Sequence, residues 1–256
     1  MKSLWNSFKV AFAMFSKIPM PQADWTKENM KYMFCFFPFI GTVIGAVFLA
    51  GDYLGKALGL SEGFHTALLV LIPVLITGGI HVDGLLDTAD ALSSWQERER
   101  RLEILKDSHA GAFAVITACV YFLCCFGAYS QIAGSSRAVL ITGMVFMVSR
   151  CFSGLGVLML PKAKDTGTVA EFSRKAENAV VRNTLIVYLA VLAAVMVLIH
   201  PVMGGAAFAG AFLIFLYYRR MALKYFGGTT GDLSGFFLCV CEAGTAVVTA
   251  VLSVVL

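Results

Sequence analysis

Apolar residues fall in long blocks separated by short polar stretches. Blocks near the ~20 residues needed to cross a bilayer cover 33–55, 64–80, 110–131, 138–160, 183–200, 203–220 and 233–256. The pattern predicts an all-α fold: a polytopic membrane helical bundle of about seven transmembrane helices. It forms a single integral-membrane domain over residues 1–256. Ahead of the blocks, Met1 to Met20 is Phe-rich with Lys2, Lys9 and Lys17 spaced through it. No compact apolar core or small-residue cleavage site marks a signal peptide, so this stretch is predicted to lie on the membrane surface as an amphipathic segment. Pro19 and Pro21 set it apart from the first span, Pro161 ends the fourth, and Pro201 with Gly204-Gly205 turns the chain between the fifth and sixth. Residues 91–106 are predicted to form an amphipathic helix capped by Ser93 or Ser94, with Trp95, Leu102 and Leu105 at the interface. The polar, Gly-containing stretch 162–182 is predicted to be a mobile lid.

Composition agrees: 59% of residues are hydrophobic and 14% charged, and mean hydropathy is +0.80. That excludes a soluble domain. Seven cysteines lie mostly within apolar blocks and show no metal-binding spacing, which marks them as small hydrophobes rather than disulfide partners. The positive charge matters through its position. Basic residues crowd alternate connections: the N-terminal lysines to Lys31, then Arg98, Arg100, Arg101 and Lys106, then 162–182, then Arg219, Arg220 and Lys224. The other connections hold little beyond Lys56 and Arg137. By the positive-inside rule the first set is cytoplasmic, with the N-terminus inside and the C-terminus outside. The expected place is a bacterial cytoplasmic (inner) membrane, with the polar stretches all on its cytoplasmic face.

Among those stretches, Gly78 to Asp90 (GGIHVDGLLDTAD) is the most concentrated. If it is helical, Asp83, Asp87 and Asp90 fall at i, i+4 and i+7 on one face. Grouped carboxylates repel unless a cation neutralises them, and oxygen-only ligands that leave room for water and phosphates suit Mg²⁺. The plainer alternative is a solvated polar turn. Phe226 to Gly235 (FGGTTGDLSG) is the second stretch. Its small residues, Gly227, Gly228, Thr230 and Gly231, expose backbone N–H groups as an anion cradle, and Asp232 could join a metal site; a helix-packing loop is the other reading. Gly-Gly-x-x-x-Asp occurs in both stretches. Asp107, Ser108 and His109 form a third, in which Asp107 and Ser108 could cap the third span. Glu242 lies inside the last apolar block and Arg150 inside the fourth. They are expected to pair, or Arg150 to bind phosphate. His81 and His109 flank the acids as general-base or phosphate-bonding candidates, while His65 and His200 read as interfacial residues of the far side. Acids, an anion cradle and embedded basic residues on one face point to chemistry on a pyrophosphate or phosphodiester.

HVDGLLDTAD, LKDSHAG, VSR and GGTTGD followed by an embedded Glu, in this order and across a chain of this length, resemble the cobalamin synthase family, the adenosylcobinamide-GDP ribazoletransferases. The resemblance extends from FSKIPMP to the last span. It departs from the family pattern at His109, where arginine is common, and in the Gly111–Ala114 stretch. It implies a Mg²⁺-dependent transfer in which adenosylcobinamide-GDP and α-ribazole, or its 5′-phosphate, give adenosylcobalamin, or its 5′-phosphate, and GMP. Carried onto this chain, Asp83, Asp87, Asp90 and Asp232 would be metal ligands, with Asp107 near them. Asp90 or His81 would serve as base if one is needed. Gly227, Gly228, Thr230 and Gly231 would approach a phosphate, and Asp107, Ser108, His109, Arg150 and Glu242 would contact substrate. The lipid bilayer is the expected surrounding, no nucleic acid is a partner, and a homo-oligomer stays open. The alternatives are another Mg²⁺-dependent membrane transferase (prenyltransferase or CDP-alcohol phosphotransferase) and an ion-coupled transporter with mid-membrane acids.

Overall fold

The computed structural model describes residues 2–107, 109–164, 171, 172, 174 and 176–256. Among them every regular element is a helix, supplemented by one isolated bridge between Lys162 and Thr229. In chain order these are α1 (Lys2–Phe15), α2 (Lys27–Met30), α3 (Met33–Ala57), α4 (Glu62–Thr77), α5 (Ile80–Ser93), α6 (Arg98–Ile104), α7 (Ala112–Ile132), α8 (Ser136–Met159), α9 (Asn178–Ile199), α10 (Pro201–Phe226) and α11 (Gly231–Val255).

Six of them, α3, α7, α8, α9, α10 and α11, are long and apolar enough to cross a membrane. The seventh expected span has a different form. α4 has 16 residues, about 24 Å at 1.5 Å per residue, short of the ~30 Å hydrocarbon core. It meets α5 at 93° across Gly78-Gly79. The acidic stretch is therefore helical, as its spacing predicts, and forms the second arm of a bent pair. The protein is a multi-pass membrane bundle.

α8 is the central helix, with 83% of its most apolar window buried. α3 approaches it closely through Gly41 and Gly45. A Cβ at these positions would stand 2.1 Å from the Phe146 carbonyl oxygen and 2.3 Å from that of Gly143. Without a hydrophobic drive between helices in lipid, such backbone contact is what van der Waals packing requires. α1 is amphipathic as predicted, but it is embedded in the bundle rather than resting beside it. Ser7, Val10 and Ala11 are fully buried against the rest of the protein, while Trp5 is 56% exposed. Just beyond α1, the backbone N–H of Lys17 donates to the carbonyl of Ile76 at 2.7 Å, which ties the N-terminal segment to the end of α4.

Three local expectations are corrected. The helix predicted over 91–106 is two pieces: α5 continues to Ser93, and α6 starts only at Arg98. Between them Trp95 sits at φ 54°, a left-handed conformation that stops a helix. Ser94 closes α5, its hydroxyl donating to the Ala91 carbonyl, and Glu97 stands at the start of α6 without a side-chain cap bond. His65, expected at the interface, is buried 3.6 Å from Asp52, which also pairs with Lys56 at 2.6 Å. His200 instead caps α10, its Nδ1 accepting from the Met203 N–H. Of the lid predicted at 162–182, residues 165–170, 173 and 175 lie outside the described residues.

Candidate active site

The site is built where α5 crosses α11. Gly78 and Gly79 adopt φ 67° and 80°, values glycine takes without a Cβ penalty, and this permits the sharp turn out of α4. α5 then runs backbone to backbone with α11. A Cβ on Gly84 would lie 2.6 Å from the Asp232 carbonyl oxygen, and one on Gly235 would lie 3.0 Å from that of His81. The glycine after Asp83 and the glycine three residues after Asp232 thus create the contact that brings these two carboxylates to one cavity. Asp87, a turn further along α5, lies within electrostatic reach of Asp83, Asp232 and Asp90. Among the described residues, none of Asp83, Asp87 and Asp232 stands in an ion pair.

Asp90 does something the sequence did not reveal. Its two carboxylate oxygens accept the backbone N–H groups of Gly111 at 2.6 Å and Ala114 at 2.9 Å, so it caps α7 from a neighbouring helix. The cap expected from Asp107 and Ser108 is therefore corrected. Asp107 folds onto His109, whose backbone N–H and ring Nδ1 lie 3.0 and 2.7 Å from its Oδ1. The first of these contacts holds the Asp107 carboxyl below its ordinary range. This pair is exposed on the turn before α7, and Ser108 lies outside the described residues.

The glycines of the second stretch answer to packing of the chain on itself. Thr229 pairs with the segment after α8, its N–H donating to the Pro161 carbonyl and its carbonyl accepting from Ala163. A Cβ on Gly228 would stand 2.4 Å from that Pro161 oxygen. Gly227 ends α10 at φ 73°, and a Cβ there would meet the Arg98 guanidinium. These contacts account for Gly227 and Gly228 without a phosphate. Thr230 caps α11 by accepting the Leu233 N–H at 3.2 Å, and Gly231 lines the cavity.

The same packing brings in two cations that were not among the expected site residues. The Arg98 guanidinium lies over Gly227 and donates to the Ala163 carbonyl at 3.4 Å. The Lys164 ammonium donates to the Leu102 carbonyl at 2.5 Å and is felt by Asp232. Partial burial, and then neighbouring Lys106, lower the pKa of Lys164; burial alone does so for Lys162. The only sequence signal for Arg98 and Lys164 was their place in loops at the same end as the acids.

Arg150 and Glu242 form the pair expected of them, at 2.7 Å, with side chains 1% and 7% exposed. The Ser149 hydroxyl donates to the same Glu242 oxygen, and Arg150 also donates to the Phe146 carbonyl. Arg150 is thus enclosed with Glu242 as its ionic partner. His81 lies between the two regions. It lines both the acid cavity and a void of about 10 Å³ shared with Arg150, Tyr121, Cys239 and Glu242, and its buried Nε2 has no hydrogen-bond partner.

The acid cavity has a volume of about 260 Å³. Among the described residues no three His, Cys, Asp or Glu stand together as a ready metal cage. The donors at its rim, Asp83 and Asp232, are nonetheless hard carboxylate oxygens. Mg²⁺ is ordinarily held by one or two carboxylates, with water and substrate phosphate completing its shell. The residues present fit that mode.

Fold and site together define a class: a multi-pass helical membrane protein with an acidic cavity at one end of its bundle and basic side chains on the neighbouring loops. The family model for cobalamin-5-phosphate synthase matches residues 7–250, and the chain belongs to that family. An adenosylcobinamide-GDP ribazoletransferase of Lachnoclostridium phytofermentans is 46% identical, over 96% of this chain and 94% of its own. Proteins of the same description are 31% identical in Clostridium botulinum strain Alaska E43, over 94% of this chain and 96% of that one, and 32% identical in Desulfitobacterium hafniense, over 92% and 91%. No solved structure matches the chain.

Proposed function

We propose that this protein joins adenosylcobinamide-GDP to α-ribazole or its 5′-phosphate and releases GMP, the last reaction type of nucleotide-loop assembly. A ribosyl hydroxyl of the acceptor attacks the phosphorus on the cobinamide side of the pyrophosphate. A new P–O bond forms, the bridging P–O bond breaks, and GMP leaves with its electron pair. The observation that carries this reading is the meeting of Asp83 and Asp232 on one cavity, with Lys164 within electrostatic reach of Asp232, in a chain of this family.

Asp83 and Asp232 would hold Mg²⁺, with Asp87 beside them. When bound, the ion neutralises phosphoryl oxygens and stabilises the leaving group. Arg98 and Lys164 supply the complementary charge for the pyrophosphate, and a carboxylate of the cluster takes the hydroxyl proton. Asp90 fixes the start of α7 and thereby holds α5 in place. The acids share an end of the bundle with Arg98, Arg100, Arg101, Arg219, Arg220 and Lys224, whereas Lys56 and Arg137 lie at the other end. This asymmetry supports a cytoplasmic active face in a bacterial inner membrane.

The test is GMP release by the detergent-purified protein given adenosylcobinamide-GDP and α-ribazole, with and without Mg²⁺. Mg²⁺-dependent GMP with a matching cobalamin product is expected; none from a folded protein with either acceptor overturns the reading. A pH profile examines Lys164. Because burial disfavours its charged form, the ammonium loses its proton at lower pH than a free lysine as pH rises. KM for adenosylcobinamide-GDP should therefore climb on the alkaline side, and Lys164→Arg should remove that climb. A profile identical in both proteins would take Lys164 out of substrate binding.

A further inference from the structure

We propose that the apolar part of the acid cavity is the seat of the acceptor's aromatic base, with Phe15, Phe34, Phe37 and Phe172 as its walls. This rests on the transfer proposed above and assigns one of its two substrates to a place. The cavity is lined by Phe15 with Met14 from α1, Phe34 with Phe37 from α3, Val157 from α8, Leu238 from α11, and Phe172. Its charged groups, Asp83 and Asp232, belong to the α5–α11 crossing. The surface is therefore two-part: an aromatic body, and a polar rim where the two carboxylates stand with His81, Ser153 and Ser234.

The aromatic walls support one another. Phe15 and Phe37 lie 4.5 Å apart between centroids, Phe15 and Phe34 6.4 Å, and Trp25 stacks on Phe172 at 6.3 Å and 27°. Phe34, Phe37 and Phe172 are each buried to within 5% of complete, so the walls are held before any ligand arrives.

Of the groups the reaction brings in, only one has matching chemistry. A benzimidazole carrying methyl groups is flat and apolar, and its ribose places hydroxyls at one end. Aromatic rings bind such a base by stacking, and the ribose then reaches the carboxylate rim where its hydroxyl reacts. Guanine would bring its polar edge into a body walled mainly by phenylalanine, which leaves it only the polar side of the cavity for partners. A corrin macrocycle is far larger than a cavity of about 260 Å³, which lies below the roughly 300–1,000 Å³ that holds drug-sized ligands. The corrin must therefore lie outside this cavity, and with the acceptor's base seated inside, the other substrate brings its pyrophosphate to the rim. α1, embedded in the bundle, thereby becomes a wall of the binding site.

Phe15 is the wall residue to change, because it is only half-buried and its truncation disturbs packing least. With the full-length protein in detergent, Phe15→Ala should weaken α-ribazole binding measured by calorimetry, without the second substrate, by about tenfold, the low to middle range for loss of one base-stacking ring. KM for α-ribazole should rise in step, while KM for adenosylcobinamide-GDP stays within about twofold, and Phe15→Leu should recover part of the loss. Preference for the dimethylbenzimidazole riboside over adenosine as acceptor should narrow. Should Phe15→Ala fail to fold, Ser153→Leu, which narrows the cavity from α8, serves the same comparison and should exclude α-ribazole. Unchanged α-ribazole binding, or an effect confined to adenosylcobinamide-GDP, would overturn the assignment while wild-type GMP release left the reaction standing. Absence of GMP release from the wild type would instead count against the reaction itself.

Discussion

Asp83→Asn and Asp232→Asn should each reduce GMP release by about 10²–10³-fold or more, the scale on which a single preorganised electrostatic group acts in a transition state. Asparagine keeps the shape of the side chain and removes only the charge. Both variants should therefore fold, and the loss should appear in kcat at saturating substrate. The two carboxylates face one cavity from different helices, so they act as a unit, and the double variant should be little worse than either single one. Raising Mg²⁺ should restore part of the activity if the lost charge held the ion. Near-wild-type turnover of either variant at limiting Mg²⁺ would remove the metal role from that residue. Asp90→Asn gives a useful contrast. Both Asp90 oxygens already take backbone N–H groups of the α7 start, so that change should act first on stability, by about 1 kcal/mol for loss of a cap.

The second large effect lies deeper in the bundle. Arg150→Met or Glu242→Leu alone should destabilise the protein by about 3–5 kcal/mol, because each leaves a buried charge without its partner. The pair together, replaced by Met and Leu, should recover most of that loss. Thermal melts in detergent would give all three values. If Arg150 instead bound the pyrophosphate, the double variant would be stable and yet inactive. An active double variant would fix the pair as structural. The 2.7 Å contact, with side chains 1% and 7% exposed, favours the second outcome.

Much of the fold was legible because a bilayer imposes a simple rule. Block length and apolarity located six spans, with ends displaced by at most six residues. The same rule located the helix near 64–80 but not its continuation, since hydropathy does not register that Gly78-Gly79 bends the chain by 93° into a second arm. Within the acidic stretch, helical spacing placed Asp83, Asp87 and Asp90 on one helix. It could not show that Asp90 reaches Gly111 and Ala114, because that contact depends on how α5 and α7 meet. The Arg150–Glu242 pair was legible, since charges inside apolar blocks need partners. The glycines of FGGTTGD were visible as special, but their cause was not. A glycine that admits a phosphate and one that admits a carbonyl look the same in sequence, and here Gly228 admits Pro161. Arg98, Lys164 and the four phenylalanines of the cavity come from distant segments, and no local pattern links them.

The crossing of α5 over α11 also bears on how the protein is made. Asp83 and Asp232 are 149 residues apart in the chain. At roughly 5–20 residues per second of synthesis, the first acidic helix emerges about seven to thirty seconds before its counterpart. Throughout that interval the nascent chain carries α5 with its glycine contact surface uncovered, and the cavity that Asp83 and Asp232 share is completed only as the final helix is inserted. A ribosome that stops before the last span therefore leaves an anchored protein without that cavity, its acidic helix open to whatever membrane chaperone first meets it.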